Sequence, residues 1–305
     1  MKSELLNFLL KAQNPDGGWG YFPGKHTALE PTAYALMALQ REQGADEALN
    51  MAARLIAVSQ TPEGGWPVST SDREPAAWVT PVVGLADLLA TQHSMRNDAA
   101  VKFVLRTFSR MPKTWRNRVG EWLGYGVPPK NTNLGGWSWN PETAPWVEPT
   151  CYALLFLKKA GRRVQEDGPL QIVSEAESMV YDRMCKRGGW NYGNAQVLGE
   201  ELRPYPLTTA LALIALQDRS SRSENQASLA YLKNAVSTEN SALGLCFAAL
   251  CLDLYAQDCE AVWQRLSRCY QGTLFLRDIK TAALVLIVLQ ARKTKNIFDL
   301  KFEES

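Results

Sequence analysis

Two glutamates, one lysine and a set of aromatic residues are the chain's candidates for chemistry. Glu30 and Glu148 each precede a proline, in Leu29-Glu30-Pro31-Thr32-Ala33-Tyr34 and Val147-Glu148-Pro149-Thr150-Cys151-Tyr152. A carboxyl group drawn partly out of water holds its proton more tightly, so either could act as a general acid. Two carboxylates facing one cleft could also work as a glycosidase pair. A carboxylate at a helix start can equally be a cap that answers the helix dipole. Lys280 stands just before the apolar run 281–291. Lys280 and Thr80 are candidate substrate-binding residues, together with the aromatics Tyr34, Trp78, Trp146 and Tyr152. His26 follows Lys25 and could bind an anion or move a proton.

Several classes of chemistry are set aside. The two histidines, His26 and His93, have no ligand-spaced partner, so neither a metal nor another cofactor is expected. His93, between two helical segments, reads as a solvated loop residue. The six cysteines contain no CxxC pair and read as reduced thiols of a cytoplasmic protein. Lys plus Arg number 33 and Asp plus Glu 31, a net +2 that gives no reason to expect a nucleic-acid partner. No apolar run reaches about 18 residues, and the N-terminus enters an amphipathic segment without a signal-peptide layout. Peripheral membrane contact and pairing with a second copy or another chain stay open.

The candidates lie at fixed places in a repeat. Gly-Gly-Trp ends at Trp19, Trp66, Trp137 and Trp190, at spacings of 47, 71 and 53 residues. Gln13-Asn14-Pro15-Asp16 and Gln60-Thr61-Pro62-Glu63 precede the first two. After each Trp comes a helix start, with Pro at a first helical position in three copies. The runs 31–40, 149–157, 207–217, 242–252 and 281–291 carry no charge, as helices buried on all sides require. The segments between are amphipathic. Six exposed–buried pairs follow: 3–12 with 28–42, 46–59 with 74–91, 96–110 with 146–160, 170–186 with 203–218, 223–236 with 240–255, and 258–271 with 278–292. The pattern predicts an all-α fold, a closed α6/α6 toroid over 1–293, with a tail at 294–305. An open solenoid would expose its inner helices, and these lack the charge for that.

In such a ring six helix N-termini point at one mouth, which favours anions. Superposing the copies places Glu30, Thr80, Glu148, Leu207, Ser241 and Lys280 around it. The insertion at about 111–145 holds Trp115, Trp122, Tyr125, Trp137 and Trp139 with Lys113, Arg116 and Arg118. It reads either as a mobile lid over the mouth or as aromatics packed on the end of the ring.

Gln-x-x-Asp/Glu-Gly-Gly-Trp resembles the repeat of squalene and hopene cyclases and of protein prenyltransferase beta subunits. The resemblance implies a terpenoid cyclase-like toroid with an apolar cavity for an isoprenoid chain. For an enzyme it implies cyclase chemistry (isomerase or lyase) or prenyl transfer. Class II cyclases protonate an alkene with Asp-x-Asp-Asp followed by Thr-Ala. Matching Thr150 to that Thr puts Glu148 at the protonating Asp, with Trp146 and Pro149 in place of the flanking acids. Cys151-Tyr152 is similar to the Cys-Tyr of the prenyltransferase zinc site, but Pro149 stands where its Asp would be and no later His follows. Squalene cyclases resemble two fused toroids, so a second chain or copy would complete such a cavity here. The alternatives are a non-catalytic scaffold binding a partner chain and, third, a carbohydrate-active toroid enzyme.

Overall fold

The computed structural model describes residues 1–91, 94–111, 131–160, 167–197 and 200–301. His93 and most of the expected lid, including Lys113, Trp115, Arg116, Arg118, Trp122 and Tyr125, lie outside the described residues.

Twelve α-helices are described, in the expected alternation. The outer ones are α1 (Lys2–Lys11), α3 (Asp46–Ser59), α5 (Met95–Arg106), α7 (Asp167–Asp182), α9 (Ser223–Ala235) and α11 (Glu260–Thr273). The inner ones are α2 (Leu29–Leu39), α4 (Thr80–Thr91), α6 (Val147–Ala160), α8 (Pro206–Ala215), α10 (Ala242–Leu254) and α12 (Ile279–Ala291). Each inner helix packs on the next, and α12 packs on α2, so the ring is closed. Every residue of α2 is buried. The outer helices lie over the seams: α3 touches both α2 and α4, and α1 closes the outer layer against α12.

A repeated latch sets the level of the inner helices. Each repeat Trp is fully buried. Its indole N–H donates to a carbonyl of the preceding outer helix: Trp19 to Leu9, Trp66 to Ile56, Trp137 to Val104 and Trp190 to Val180, at 2.8, 2.8, 2.8 and 2.6 Å. Its backbone N–H donates to a threonine hydroxyl in the first turn of the following inner helix: Thr32, Thr80, Thr150 and Thr209, at 2.9, 3.0, 3.0 and 2.9 Å. Its carbonyl accepts from the N–H of the residue four before that threonine: Ala28, Ala76, Trp146 and Tyr205. This last bond holds 66–76 as a loop, so α4 begins at Thr80 rather than at 74. Gly17 and Gly64 have φ of +94° and +91°, and a Cβ there would lie 2.8 Å from the Met51 backbone and 2.5 Å from that of Ala99. Only glycine permits both the backbone angle and that approach.

The far end of the ring is closed by the chain itself. The described part of the tail, 294–301, is not a free end. Ile297 and Phe298 are buried, Asn296 Nδ2 donates to the Leu250 carbonyl at 3.0 Å, and Lys159 Nζ donates to the Asp299 carbonyl at 2.6 Å.

Thr80→Val tests the latch. It keeps the shape of the side chain but leaves the buried Trp66 N–H without an acceptor. Urea unfolding should show a loss of about 1–3 kcal/mol; an unchanged midpoint and slope would contradict the role given to the threonine.

Candidate functional site

The latch defines the true register of the ring. The carbonyls of Ala28, Ala76, Trp146, Tyr205, Ser241 and Asp278 each accept from the N–H four residues on, one per inner helix. Two residues beyond these lie Glu30, Trp78, Glu148, Leu207, Leu243 and Lys280. This corrects two members of the superposition. Thr80 is equivalent to Thr32, Thr150 and Thr209; its hydroxyl accepts from Trp66 and donates to Ala76, so it is committed to the latch and not open to a ligand. Ser241 is the N-cap of α10, accepting from Gly244 N–H at 3.2 Å. Trp78 takes the ring position instead.

Three of the ring members form a coupled charge group. Lys280 Nζ lies 2.6 Å from Glu30 Oε1, and the Tyr21 hydroxyl donates to Glu30 Oε2 at 2.7 Å. Lys280 also stands 5.3 Å from the centroid of the Tyr34 ring. Burial works against the charge of Lys280, but Glu30, Tyr34 and Glu148 together outweigh it and hold the ammonium above the usual lysine pKa. Glu148 is half-buried. Burial pushes its carboxyl up, Lys280 pulls it back, and Glu30 pushes it up again; the net direction is upward. Among the described residues no hydrogen bond or ion pair reaches the Glu148 carboxyl.

One helical turn below the ring the axis is filled. The hydroxyls of Tyr34 and Tyr152 meet at 3.0 Å, although α2 and α6 are not neighbours in the ring. Tyr152 packs edge-on to Phe247 of α10 at 6.5 Å. These three buried rings span the centre, all at the same level, six residues past the helix-start carbonyls. The apolar central cavity expected from the sequence is therefore filled at this level. The charged ring lies about 6 Å above these rings, the rise of four helical residues, and the mouth above them is called the cup. Tyr34 and Tyr152 are its floor rather than its walls.

The rim is aromatic. Trp78 and Trp139 pair at 5.2 Å, Tyr192 and Tyr205 at 5.4 Å, and Trp146 is 41% exposed. His26 is exposed on the rim, and among the described residues nothing ties it to the cup. Tyr21, Trp139, Tyr192 and Phe247 were not among the expected site residues. A signal for three of them existed: Tyr21, Trp139 and Tyr192 each stand two residues after a repeat Trp. Cys151 is fully buried and its thiol is pushed far up by burial, which makes it a poor nucleophile.

Two measurements probe this geometry. Lys280→Met strands the Glu30 carboxylate in a half-closed site and should cost about 3 kcal/mol in urea unfolding. The double variant with Glu30→Gln should recover most of it, and a double no better than the single would deny the coupling. For Glu148 the sign follows from linkage. Its folded pKa is raised, so the native state binds the proton more tightly than the unfolded chain, and stability falls as pH rises from the ordinary carboxylate pKa through the folded one. Glu148→Gln should then melt at or above the parent temperature at neutral pH, with the difference vanishing at acid pH. A lower melting temperature at neutral pH would mark Glu148 as a cap.

The fold has known counterparts. No family model matches the chain. Drimenyl diphosphate synthase of Streptantibioticus cattleyicolor is 35% identical over 97 residues, 31% of this chain; the match spans only 18% of that synthase. Among solved structures, the type II terpene cyclase MstE from Scytonema, in complex with geranylgeranyl dihydroxybenzoate, is similar over 94% of this chain and 95% of its own, with TM-score 0.61 and 14% identity. An alpha-amylase from Clostridium perfringens is similar over 96% of this chain and 98% of its own, with TM-score 0.63 and 11% identity. No helix among the described residues is long and apolar enough to cross a membrane. The chain thus has an all-α toroid fold like that of the terpene cyclase.

Proposed function

We propose that the protein is a terpene-cyclase-like enzyme that takes an isoprenoid chain into the cup and protonates it from Glu148. The observation that carries this reading is Glu148 itself: a half-buried carboxyl with a raised pKa, without a described partner, at the mouth of an aromatic-rimmed cup. A general acid needs both the proton and a free face toward substrate. The proton would pass from the carboxyl to an alkene carbon and leave a carbocation. The faces of Trp78, Trp139 and Trp146 are suited to stabilise it, since aromatic rings attract cations. The carboxylate left behind would be answered by Lys280 and by the N-terminus of α6. Glu30 serves in this scheme as the counter-ion that holds Lys280 in place. The solved cyclase gives further support, because one toroid's length of chain holds an isoprenoid substrate there.

A second reading has its own observation. The packed floor of Tyr34, Tyr152 and Phe247 suits a scaffold that binds another chain and turns nothing over.

The test is turnover of farnesyl or geranylgeranyl substrates by the parent and by Glu148→Gln. The acid role predicts a loss of about 10²–10⁴-fold in kcat with the fold intact. A parent that turns over none of these substrates would favour the scaffold, and equal rates in both proteins would remove Glu148 from the chemistry.

A further inference from the structure

The fourth copy of the repeat reverses the charge found in the first two. The residue before each glycine pair is Asp16, Glu63, Leu134 and Arg187. The residue two before each helix-start carbonyl is His26, Glu74, Ala144 and Arg203. Asp16 serves its own loop, accepting from Gly18 N–H at 3.0 Å and from the Thr27 hydroxyl at 2.9 Å. The fourth copy sets an arginine at both places, and both are exposed.

These two arginines line one groove of about 740 Å³ on the outer wall, against α9. The glycine pair builds it. Gly188 and Gly189 have φ of +94° and +79°, and a Cβ there would lie 2.9 Å from the Ala227 backbone and 2.8 Å from Pro204 Cβ. Only glycines bring the loop after Arg187 this close to α9. Gly189 N–H donates to Ser228 Oγ at 2.8 Å, and the Tyr231 hydroxyl donates to the Pro204 carbonyl at 2.7 Å. Both loops that carry the arginines are thereby fixed to one helix. Ala227, Ala230 and Tyr231 supply an apolar floor between them, with Asn234 and Thr238 further along α9.

The arginines are unclaimed. Arg203 lies over the Tyr205 ring, 5.5 Å from its centroid. Among the described residues neither Arg203 nor Arg187 has an ion pair or a hydrogen bond to a carboxylate, and no acid lines the groove. Acids do flank it, and three of them have other partners. Glu201 pairs with Lys186 at 3.0 Å and Glu224 with Arg222 at 2.6 Å. Glu239 Oε1 accepts from the N–H groups of Asn240 and Ser241 at 2.8 and 2.6 Å. Glu200, next along the chain, lies outside the lining. A guanidinium recognises an oxyanion through directional N–H groups, and two such forks are open here.

We propose that this groove binds a small organic phosphate monoester. A carboxylate has two oxygens and fills one fork, whereas a phosphate monoester offers three terminal oxygens, enough for Arg187 and Arg203 together. The organic body lies over Ala230 and the Tyr231 ring, and its polar groups reach Asn234 and Thr238. The volume is in the range of small-molecule sites. The groove is on the outer wall, and its ligand does not depend on the chemistry assigned to Glu148.

The experiment is calorimetric titration of the full chain with phenyl phosphate, inorganic phosphate and phenylacetate at fixed ionic strength. Phenyl phosphate should bind saturably at one site, and phenylacetate at least about tenfold more weakly, since each charge-assisted fork lost costs that much. Arg187→Gln with Arg203→Gln should weaken phenyl phosphate by at least about tenfold. Ala230→Trp should weaken phenyl phosphate and leave inorganic phosphate as it was, because it fills the floor and spares the arginines. All three positions are exposed, and an unchanged thermal melt verifies that each variant is folded. No saturable binding of phenyl phosphate by the parent overturns the proposal. Phenylacetate binding as tightly overturns it too, as does binding that survives the arginine changes, which would belong to the helix N-termini of the mouth. Phenyl phosphate unaffected by Ala230→Trp denies the floor its role and overturns the site. A phosphoserine peptide that binds where phenyl phosphate does not assigns the groove to a partner chain and likewise overturns it.

Discussion

The buried tryptophan latch is the constraint from which the rest of the molecule follows. One residue bonds the end of an outer helix through its indole, the start of an inner helix through its N–H, and the residue that begins that helix through its carbonyl. Four such latches place four inner helices at one level. Ser241 and Asp278 start the remaining two with side-chain caps in place of the latch. Because the levels agree, residues at one offset from each start form a ring, and residues four further on form the layer beneath.

Those two layers divide the labour of the site. The upper one holds the charges, Glu30, Glu148 and Lys280, where helix N-termini and water share the mouth. The lower one is packed: Tyr34, Tyr152 and Phe247 are buried and meet across the axis. The asymmetry between the two glutamates matters most. Glu30 is bound twice, by Lys280 and Tyr21, while Glu148 feels their charges at a distance and keeps its own oxygens free among the described residues. Equivalent sequence positions therefore acquire different hydrogen-bond and ion-pair partners.

The architecture was legible in the residues because it depends on local, repeated features. Charge-free runs can only be inner helices, Pro and Thr mark their starts, and Gly-Gly-Trp marks each connection, so helix number, order and closure were all readable. The register of the second copy was misjudged. Val79-Thr80-Pro81 looks like Glu30-Pro31-Thr32 by its proline, whereas it aligns by its threonine, and a proline pattern says nothing about a hydroxyl bond to a tryptophan 14 residues earlier. How the tail packs was not legible for a related reason: Ile297 and Phe298 are buried beside Asn296, which bonds the Leu250 carbonyl of α10, far off in sequence.

By itself, the sequence determined the toroid, the two kinds of helix and the presence of Glu30, Glu148 and Lys280 at helix starts. Periodicity and charge are properties of short segments, and they survive without knowledge of what lies opposite. Only the tertiary structure decided that Lys280 pairs with Glu30 and leaves Glu148 unpaired among the described residues. It alone decided that Tyr34 and Tyr152 close the axis and that Leu274 and Leu276 face water. Each of these depends on distances between helices that are far apart in the chain, and closing the ring is what sets those distances.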